Sequence, residues 1–330
     1  MTAVIENNSR IAIVGASGFI GRHLVSDLLS LGGYEIRVLS RNRQRDVREE
    51  IFGQDVEIFE GDLGDPDSLK GFLLPGCTVV NLVYLWNAGE ELNLACIHNL
   101  IAACKDAKVA RLIHCSTAAV AGRAPNDLID EKTQCLPISD YGTTKLRIER
   151  DIIASARDNF DAVILRPTSV FGVDGEPLKK LAFDISEGSC WKNYLKSCLF
   201  GKRRMNLVHV DNVVAAIQFF IEYEDCLNDE LFIVSDDDDV NNNFIYVERL
   251  LMNVLGVRKY FLPRFQAPFF VLKSLLLLLG RNNVNPRCNF DASRLRKLGF
   301  KSPVSLNNGL TEYATWYRAL YFNESESRLL

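Results

Sequence analysis

The chain has 330 residues, of which 48% are apolar, and this is enough to bury a sizeable core in one large domain or two interleaved ones. Its 38 basic and 42 acidic residues give a net charge of -4 without a basic block that could follow a phosphate backbone, so we expect no nucleic-acid partner. The nine cysteines are scattered singly with no C-x-x-C pair, which excludes a disulfide framework or a zinc site and predicts free thiols.

The first ten residues, "MTAVIENNSR", lack the basic and apolar regions of a secretion signal, so we expect a cytoplasmic protein without membrane contact. From Arg10 onward, short apolar runs alternate with segments of helical period. These runs are "RIAIVG", "EIRVLSR", "VEIFEGD", "TVVNLV", "RLIHCST" and "AVILRP". Continuous apolar strands separated by helices predict an α/β fold, a Rossmann-type doubly wound parallel sheet with helices on both faces.

The turn after the first strand, in "IAIVGASGFIG" (11–21), carries three glycines spaced G-x-x-G-x-x-G. Gly15 permits a tight turn, and Gly18 lets backbone N–H groups approach a pyrophosphate at the start of the next helix. Gly21 allows that helix to pack closely on the sheet. Because the turn lies between an apolar strand and a helical pattern, it predicts a dinucleotide-binding site.

The ends of the second and third strands carry residues that would select the cofactor. Ser40 stands where an acid would hold an adenosine ribose diol, and Arg41 and Arg43 follow it within "SRNRQR". A guanidinium suits a 2′-phosphate, which favours NADP(H) over NAD(H); the alternative is a solvated basic loop. At the third strand, Asp62 and Leu63 could bind the adenine ring, or Asp62 could simply cap a turn.

The segment "YGTTK" places Tyr141 and Lys145 four residues apart, on one side of a helix. A lysine ammonium close to a tyrosine favours the phenolate and so helps the phenol exchange a proton near neutral pH. The pattern is common by chance, but here it follows a strand ending in Ser116 and Thr117, where the cleft of such a sheet is expected.

Together with "GASGFIG", "GDLGD", "CSTAAVAG", "LRPTSVFG", "NLVHVDNV" and the closing "FDASRLRKLGF", these residues resemble the extended short-chain dehydrogenase/reductases that modify nucleotide sugars. The resemblance implies that Thr117 hydrogen-bonds the reacting oxygen, that Tyr141 exchanges the proton and that Lys145 assists it. It also implies a homodimer. The expected cofactor contacts are Gly15, Ser17, Gly18, Phe19, Ile20, Gly21, Ser40, Arg41, Arg43, Asp62, Leu63, Leu82, Tyr141, Lys145 and Pro167. The expected substrate contacts are Thr117, Ser169, Arg203 and Arg204.

Several positions depart from the pattern of this family. Ala118 and Ala119 replace the acids of its dehydratases, which makes loss of water an unsuitable reaction. Ser169 stands where the family often has asparagine, and this leaves the substrate contact open. Met205 occupies the place of a phosphate-binding arginine, although two arginines lie directly before it. We interpret His209, in "NLVHVDNV", as a framework residue rather than a catalytic base.

We predict an NADP-binding part at 9–167 that also receives 205–235. The substrate-binding part is 168–204 with 236–320, and 321–330 is expected to be a flexible tail. The apolar segment 268–280 is too short to span a bilayer and is interpreted as a buried helix, with an interfacial membrane helix or a dimer face as alternatives. The four aspartates at 236–239 are interpreted as a solvated loop, and no metal site is expected.

The function that follows is an NADP(H)-dependent C4-ketoreductase of a nucleoside-diphosphate keto sugar, acting in surface-polysaccharide or deoxysugar biosynthesis. A nucleotide-sugar 4-epimerase with NAD(P) is the first alternative. A dehydrogenase of a steroid-like or flavonoid-like alcohol is the second. A non-catalytic dinucleotide sensor would have no use for the three reactive residues.

Overall fold

The computed structural model describes residues 9–48, 52–227, 230–280 and 284–327. Seven strands form one sheet in the order β10-β7-β5-β4-β1-β2-β3, and each registered pair from β3 to β7 is parallel. Their bounds are β1 (Ser9–Val14), β2 (Tyr34–Ser40), β3 (Val56–Glu60), β4 (Thr78–Asn81), β5 (Arg111–Cys115), β7 (Asp161–Pro167) and β10 (Glu230–Val234). Two small parallel pairs join β6 (Leu128–Ile129) to β11 (Asn289–Phe290) and β8 (Ser169–Phe171) to β9 (Leu207–His209).

Helices follow most strands, as expected for parallel strands that need crossover connections. The first four are α1 (Phe19–Leu31), α2 (Arg43–Arg48), α3 (Gly89–Ala107) and α4 (Asp140–Ala156). The next four are α5 (Lys179–Glu187), α6 (Cys190–Phe200), α7 (Val210–Glu222) and α8 (Phe244–Val254). The last are α9 (Phe269–Leu278), α10 (Ser293–Lys297) and α11 (Leu306–Ser327). The predicted doubly wound Rossmann-type fold is therefore confirmed.

The order of the strands fixes where a ligand can bind. Strand β1 pairs with β2 on one side and with β4 on the other, so the chain reverses its direction of winding between β1 and β4. In open parallel sheets, such a reversal opens a crevice at the carboxyl ends of the strands. The glycine turn at Gly15 leaves β1 at this crevice.

The chain divides into two compact units. The first consists of the described residues up to 120 with 137–166 and 214–232, and the second consists of 121–136, 167–213 and the described residues from 233 on. The predicted division placed 121–136 in the first part, whereas the short strand β6 in this stretch pairs with β11 of the second unit. The assignment of one part to the cofactor and the other to the substrate stays a prediction.

The helix predicted within 268–280 is present as α9 and begins directly after Pro268, but its interpretation as a buried helix is wrong. Within α9, only Leu272 and Leu276 are buried, and most of the other side chains are exposed. Among the described residues, no helix is both long enough and apolar enough to cross a membrane. The apolar run had suggested burial because hydrophobicity on all sides of a helix usually indicates a core position.

The interpretation of 236–239 as a solvated loop is wrong for its first two residues. Asp236 and Asp237 are 8% and 5% exposed, because asparagine side chains donate hydrogen bonds to both carboxylates. Asn206 reaches Asp237 at 2.6 Å, and Asn212 reaches Asp236 at 2.9 Å. Burial raises the pKa of each carboxyl group to about 6, since desolvation disfavours the charged form.

Two further expectations can be compared with the structure. All nine cysteines lie among the described residues, and all nine are free thiols, as predicted. The expected flexible tail begins at 321, but α11 continues through Ser327, so that 321–327 is helical. Residues 328–330 lie outside the described residues.

Candidate active site

The glycine turn between β1 and α1 has the geometry that close backbone approach requires. Gly15 has a φ of +86°, and a Cβ there would lie 3.2 Å from the carbonyl carbon of Leu82 and from the Val83 nitrogen. A Cβ on Gly21 would collide with the carbonyl oxygen of Gly15, so α1 packs directly on the turn. Gly18 is the N-cap of α1 and brings no side-chain acceptor to its first N–H groups. These donors, which include the backbone of Phe19 and Ile20, suit an anion.

A cleft of about 350 Å³ opens beside this turn. It brings together six of the predicted cofactor residues, which are Gly15, Ser17, Ser40, Arg41, Asp62 and Leu63. It is also lined by residues that were not among the predicted contacts, including Asn42, Arg45, Asp46, Val83, Leu85 and Cys96. The cleft therefore unites the ends of β1, β2 and β3 with the segment after β4.

The turn between β2 and α2 determines which arginines reach the cleft. Ser40 Oγ accepts a hydrogen bond from the Asn42 N–H at 3.1 Å, and Asn42 Oδ1 caps α2 by accepting from the Arg45 N–H at 3.0 Å. Arg41 and Arg45 line the cleft, whereas Arg43 is exposed and is not part of its lining. An asparagine directly before "RQRD" is a helix-start signal, and it could have shown that Arg45 lies in the first turn of α2.

Asp62 has the turn-capping role, one of the two that the sequence left open, and it also lines the cleft. Its Oδ1 accepts a hydrogen bond from the Gly64 N–H at 2.8 Å, which is the turn-capping role. The same residue lines the cleft beside Leu63, whose carbonyl oxygen accepts from Asn99 at 2.8 Å. Capping therefore fixes Asp62 at the cleft wall, where the adenine contact stays a prediction.

The remaining predicted residues have other positions. The Leu82 N–H donates to the Val14 carbonyl at 2.9 Å, so its backbone borders the glycine turn. Pro167 ends β7, and the Ser169 N–H in the second unit donates to the Asn206 carbonyl at 2.8 Å. In that unit, Arg204 donates to the backbone carbonyls of Asp237 and Val240, while the Arg203 guanidinium lies 5.7 Å from the centre of the Phe200 ring.

Tyr141, Lys145 and Thr117 lie together in the first unit. Ser139 caps α4 by accepting from the Gly142 N–H at 3.2 Å, which starts the helix that carries Tyr141 and Lys145. The Lys145 Nζ donates to the carbonyl oxygen of Cys115 at 2.9 Å. Thr117 Oγ1 accepts from the Ala119 N–H at 3.1 Å, and the Thr117 hydroxyl also hydrogen-bonds Tyr141. The helix and the end of β5 thus bring the three predicted catalytic groups together.

The electrostatics of this group differ from the sequence-based expectation. Burial raises the pKa of Tyr141 to about 12, while the hydrogen bond from Thr117 lowers it. Burial also lowers the pKa of Lys145 to about 8, because an ammonium in the interior is poorly solvated. Burial therefore outweighs any lowering of the Tyr141 pKa by the lysine. The phenol is protonated at neutral pH and can act as a proton donor.

An aromatic wall, which was not predicted, stands beside Tyr141. The Trp86 ring stacks on the Tyr141 ring with 4.7 Å between centroids, and Tyr84 meets Tyr141 edge-on, also at 4.7 Å. The Lys145 Nζ lies 5.4 Å from the centre of the Tyr84 ring. Trp86 is 71% exposed, so this side of the aromatic wall is accessible to solvent. The only sequence signal is the pair of aromatic residues in "VYLWN" after β4.

A buried ion pair lies directly behind the reactive residues. Arg166 donates to both carboxylate oxygens of Glu149, at 2.9 and 2.6 Å, and the Ser116 hydroxyl donates to the same carboxylate at 2.5 Å. Glu149 lies one helical turn after Lys145, and Ser116 directly precedes Thr117. The pair therefore ties together the elements that carry the reactive groups.

His209 lies in the second unit in a framework environment, as interpreted from the sequence. It is 1% exposed, its ring meets Phe171 edge-on at 5.2 Å, and a Cβ on Gly309 would lie 2.5 Å from it. Close packing against α11 holds the imidazole in place. This position suits a structural residue.

Comparisons with known proteins agree with this architecture. The sequence profile of the NAD dependent epimerase/dehydratase family matches residues 11–234. The chain is 26% identical over 285 residues to the bovine (Bos taurus) sterol-4-alpha-carboxylate 3-dehydrogenase, decarboxylating, covering 82% of this chain and 76% of that protein. It is 27% identical over 333 residues to UDP-glucose 4-epimerase of Vibrio cholerae, covering 92% and 94%.

Among solved structures, UDP-glucuronic acid 4-epimerase from Bacillus cereus in complex with NAD superposes with a TM-score of 0.68. The match covers 95% of this chain and 98% of that structure at 20% identity. At this level of identity the likeness establishes the fold.

Proposed function

The chain belongs to the NAD-dependent epimerase/dehydratase family, and from that premise we propose that it is an NADP(H)-dependent reductase of a ketone on a nucleoside-diphosphate sugar. Members of this family are NAD(P)-dependent oxidoreductases and epimerases of the extended short-chain dehydrogenase/reductase type. The observation that carries the proposal is the cleft itself, where Ser40 and two arginines stand at the end of β2.

The residues of the cleft fit a dinucleotide. The turn at Gly15 leaves no room for a side chain, and the N-terminus of α1 offers backbone donors that would hold a pyrophosphate. Arg41 and Arg45 would pair with a 2′-phosphate, which is a better match for guanidinium groups than a ribose diol. Asp46 also lines the cleft, and its carboxylate would favour a ribose diol instead.

When bound, a nicotinamide ring supplies hydride exchange with a substrate carbon. The chain supplies the proton. Tyr141, whose pKa burial raises to about 12, would donate its phenolic proton to the carbonyl oxygen of the substrate. Thr117 would polarise the same oxygen through its hydroxyl, and Lys145 would orient the cofactor ribose.

The choice between a reductase and an epimerase depends on what happens to the cofactor. Reducing a ketone requires a proton donor and the reverse oxidation requires a base, and Tyr141 would act as the phenol in one direction and as the phenolate in the other. An epimerase must perform both steps on a retained cofactor, whereas a reductase draws a reduced cofactor from the cellular pool. The epimerase nevertheless stays an alternative, since the Vibrio cholerae relative covers 92% of this chain.

A second candidate substrate class has its own support. Arg204, one of the two arginines expected to contact the substrate, is engaged with backbone carbonyls of its own unit. Trp86 and Tyr84 place an apolar wall beside Tyr141, and the bovine relative acts on a sterol. An apolar ketone or alcohol of the steroid type is therefore the alternative substrate to test beside the nucleotide sugar.

The test is cofactor consumption by purified protein. We expect NADPH to be oxidised in proportion to an added nucleoside-diphosphate 4-keto-6-deoxy sugar, with no conversion when NADPH is omitted. A steroid ketone is assayed in parallel to separate the two substrate classes. If the protein instead interconverts the C4 epimers of a UDP-hexose without added NADPH, the reductase proposal is wrong and the epimerase replaces it.

A further inference from the structure

The second unit carries a surface that is more apolar than the rest of the molecule. Nineteen large apolar side chains are exposed among those that the structure describes, and eight of them lie between 261 and 279. We call this stretch the 261–279 surface. Its most exposed members are Phe261 at 100%, Leu278 at 86%, Phe265 at 75% and Phe270 at 71%. Apolar exposure concentrated in this way marks a contact site.

Helix α9 is apolar on both of its sides. Leu272 and Leu276, one turn apart, are buried against Val284, Leu199 and Phe200. Phe270, Leu277 and Leu278 lie on the opposite side and are exposed, with only Lys273 and Ser274 as polar neighbours within the helix. A helix on the surface of a soluble domain normally presents polar residues there. Burial within this unit therefore accounts for only one face of α9.

The loop that precedes α9 is firmly attached to the same unit. The Tyr194 hydroxyl of α6 donates to the Pro263 carbonyl at 2.8 Å, and the Ala267 N–H donates to the Cys198 carbonyl at 3.0 Å. Arg264 pairs with Glu248 at 3.3 Å. The exposed phenylalanines of the loop thus extend from a fixed frame, and the 261–279 surface is formed in advance.

The charges along this stretch of the sequence have a single sign, although Glu248, just before it, pairs with Arg264. The sequence from Arg249 to Phe290 contains seven basic residues and no acidic one, within a chain whose net charge is -4. Arg258, Lys259 and Lys273 are exposed. Arg287 is also exposed, and its guanidinium lies 4.9 Å from the centre of the Phe269 ring, at the start of α9. An exposed apolar face is therefore bordered by cations.

We propose that the 261–279 surface docks on an anionic lipid bilayer, with its phenylalanines and leucines at the boundary between headgroups and acyl chains. Apolar side chains bordered by lysine and arginine are the combination that binds the interface of a negatively charged membrane. A second copy of this chain is a poorer occupant, because an isologous contact would place the two basic borders against each other. Docking of this kind needs no spanning helix and does not depend on the proposed reaction.

The test is co-sedimentation of the full chain with lipid vesicles. We expect binding to vesicles of phosphatidylcholine with phosphatidylserine, weaker binding to phosphatidylcholine alone, and loss of the difference at high salt as the charges are screened. Arg258→Gln combined with Lys259→Gln should weaken binding to the anionic vesicles by about thirtyfold. Phe265→Ser combined with Leu278→Ser should reduce binding to both, and Leu31→Ser, which removes an exposed leucine of α1, should change neither.

Three results would overturn the proposal. One is the absence of binding to either vesicle by a folded chain. Another is equal binding by the wild type and by Phe265→Ser with Leu278→Ser. The third is self-association in analytical ultracentrifugation that these two substitutions abolish while vesicle binding persists, which would assign the surface to a second copy. Because the assay contains neither cofactor nor substrate, its outcome is separate from that of the proposed function.

Discussion

Two neighbouring sets of polar residues in the first unit differ in how their charges are satisfied. Ser116, Glu149 and Arg166 form a closed network in which the carboxylate accepts three hydrogen bonds and faces a guanidinium. Thr117, directly after Ser116, and Lys145, one helical turn before Glu149 on α4, belong to a set that includes no such pair.

The second set is kept in an electrostatically unfavourable state. Lys145 donates to a neutral carbonyl, and burial lowers its pKa to about 8 while it raises that of Tyr141 to about 12. A paired buried charge supports the fold, whereas groups whose pKa values are displaced by burial are typical of sites that move protons. We therefore expect the buried ion pair to stabilise the fold and the neighbouring set with Tyr141 and Lys145 to serve the chemistry. Each expectation can be tested.

The largest expected effect is on the closed network. Glu149→Gln removes the carboxylate and leaves the Arg166 guanidinium buried without a counter-charge, which should lower the free energy of unfolding by about 3–5 kcal/mol. Urea denaturation measures this change in the free energy of unfolding. The matched control is Glu90→Gln, because the Arg147–Glu90 contact has a similar length, at 2.9 Å, but is exposed. It should cost no more than about 1 kcal/mol, and equal losses would contradict the structural role of the buried pair.

The second prediction is a variant that loses turnover but keeps its stability. Tyr141→Phe keeps the ring that stacks on Trp86 but removes the transferable proton, so turnover should fall by at least about 10²-fold. Its free energy of unfolding should change by only about 1 kcal/mol, the usual worth of one hydrogen bond. Steady-state kinetics and denaturation of the same preparation measure both. Retained turnover would show that another group donates the proton.

The third prediction concerns pH. The folded-state pKa of Lys145 lies near 8, below its ordinary value of 10.5. The unfolded chain therefore binds more protons than the folded chain between these values, and the contribution of Lys145 to stability rises with pH across that window. In the wild type, this contribution should raise the free energy of unfolding by about 1–3 kcal/mol between pH 7 and 9.5. In Lys145→Met the rise should be missing. If the free energies of unfolding of the wild type and of Lys145→Met change with pH in the same way, the pKa of Lys145 is not lowered by folding and the prediction is wrong.

The sequence predicted the parts of the site that depend on local geometry. A glycine-rich turn after an apolar strand can be recognised from a few adjacent residues, because φ at Gly15 and the packing of α1 on the turn both require the missing Cβ. Tyr141 and Lys145 lie four apart on one helix, so their common face follows from helical periodicity. Their pKa values could not be predicted, because burial depends on the tertiary structure.

Where the sequence-based interpretation was wrong, most of the partners lie far apart in the chain. Asn206 and Asn212, which donate to Asp237 and Asp236, lie 31 and 24 residues away from them, and only Asn242, the second donor to Asp237, is a near neighbour. A run of aspartates alone gives no sign of this pairing. Helix α9 was expected to be buried from its composition, but the unit offers partners to only one of its faces.

The central claim is that the arginines at the cleft select NADP(H), and binding measured by calorimetry tests it most directly. Arg41→Ala should weaken NADPH binding by about 1.5–3 kcal/mol, the range for a charged hydrogen bond, and should leave NADH binding nearly unchanged. Arg43→Ala is the matched control, since this exposed residue does not line the cleft, and it should alter neither cofactor. Equal weakening of NADPH and NADH by Arg41→Ala, or tighter binding of NADH than of NADPH by the wild type, would contradict the account.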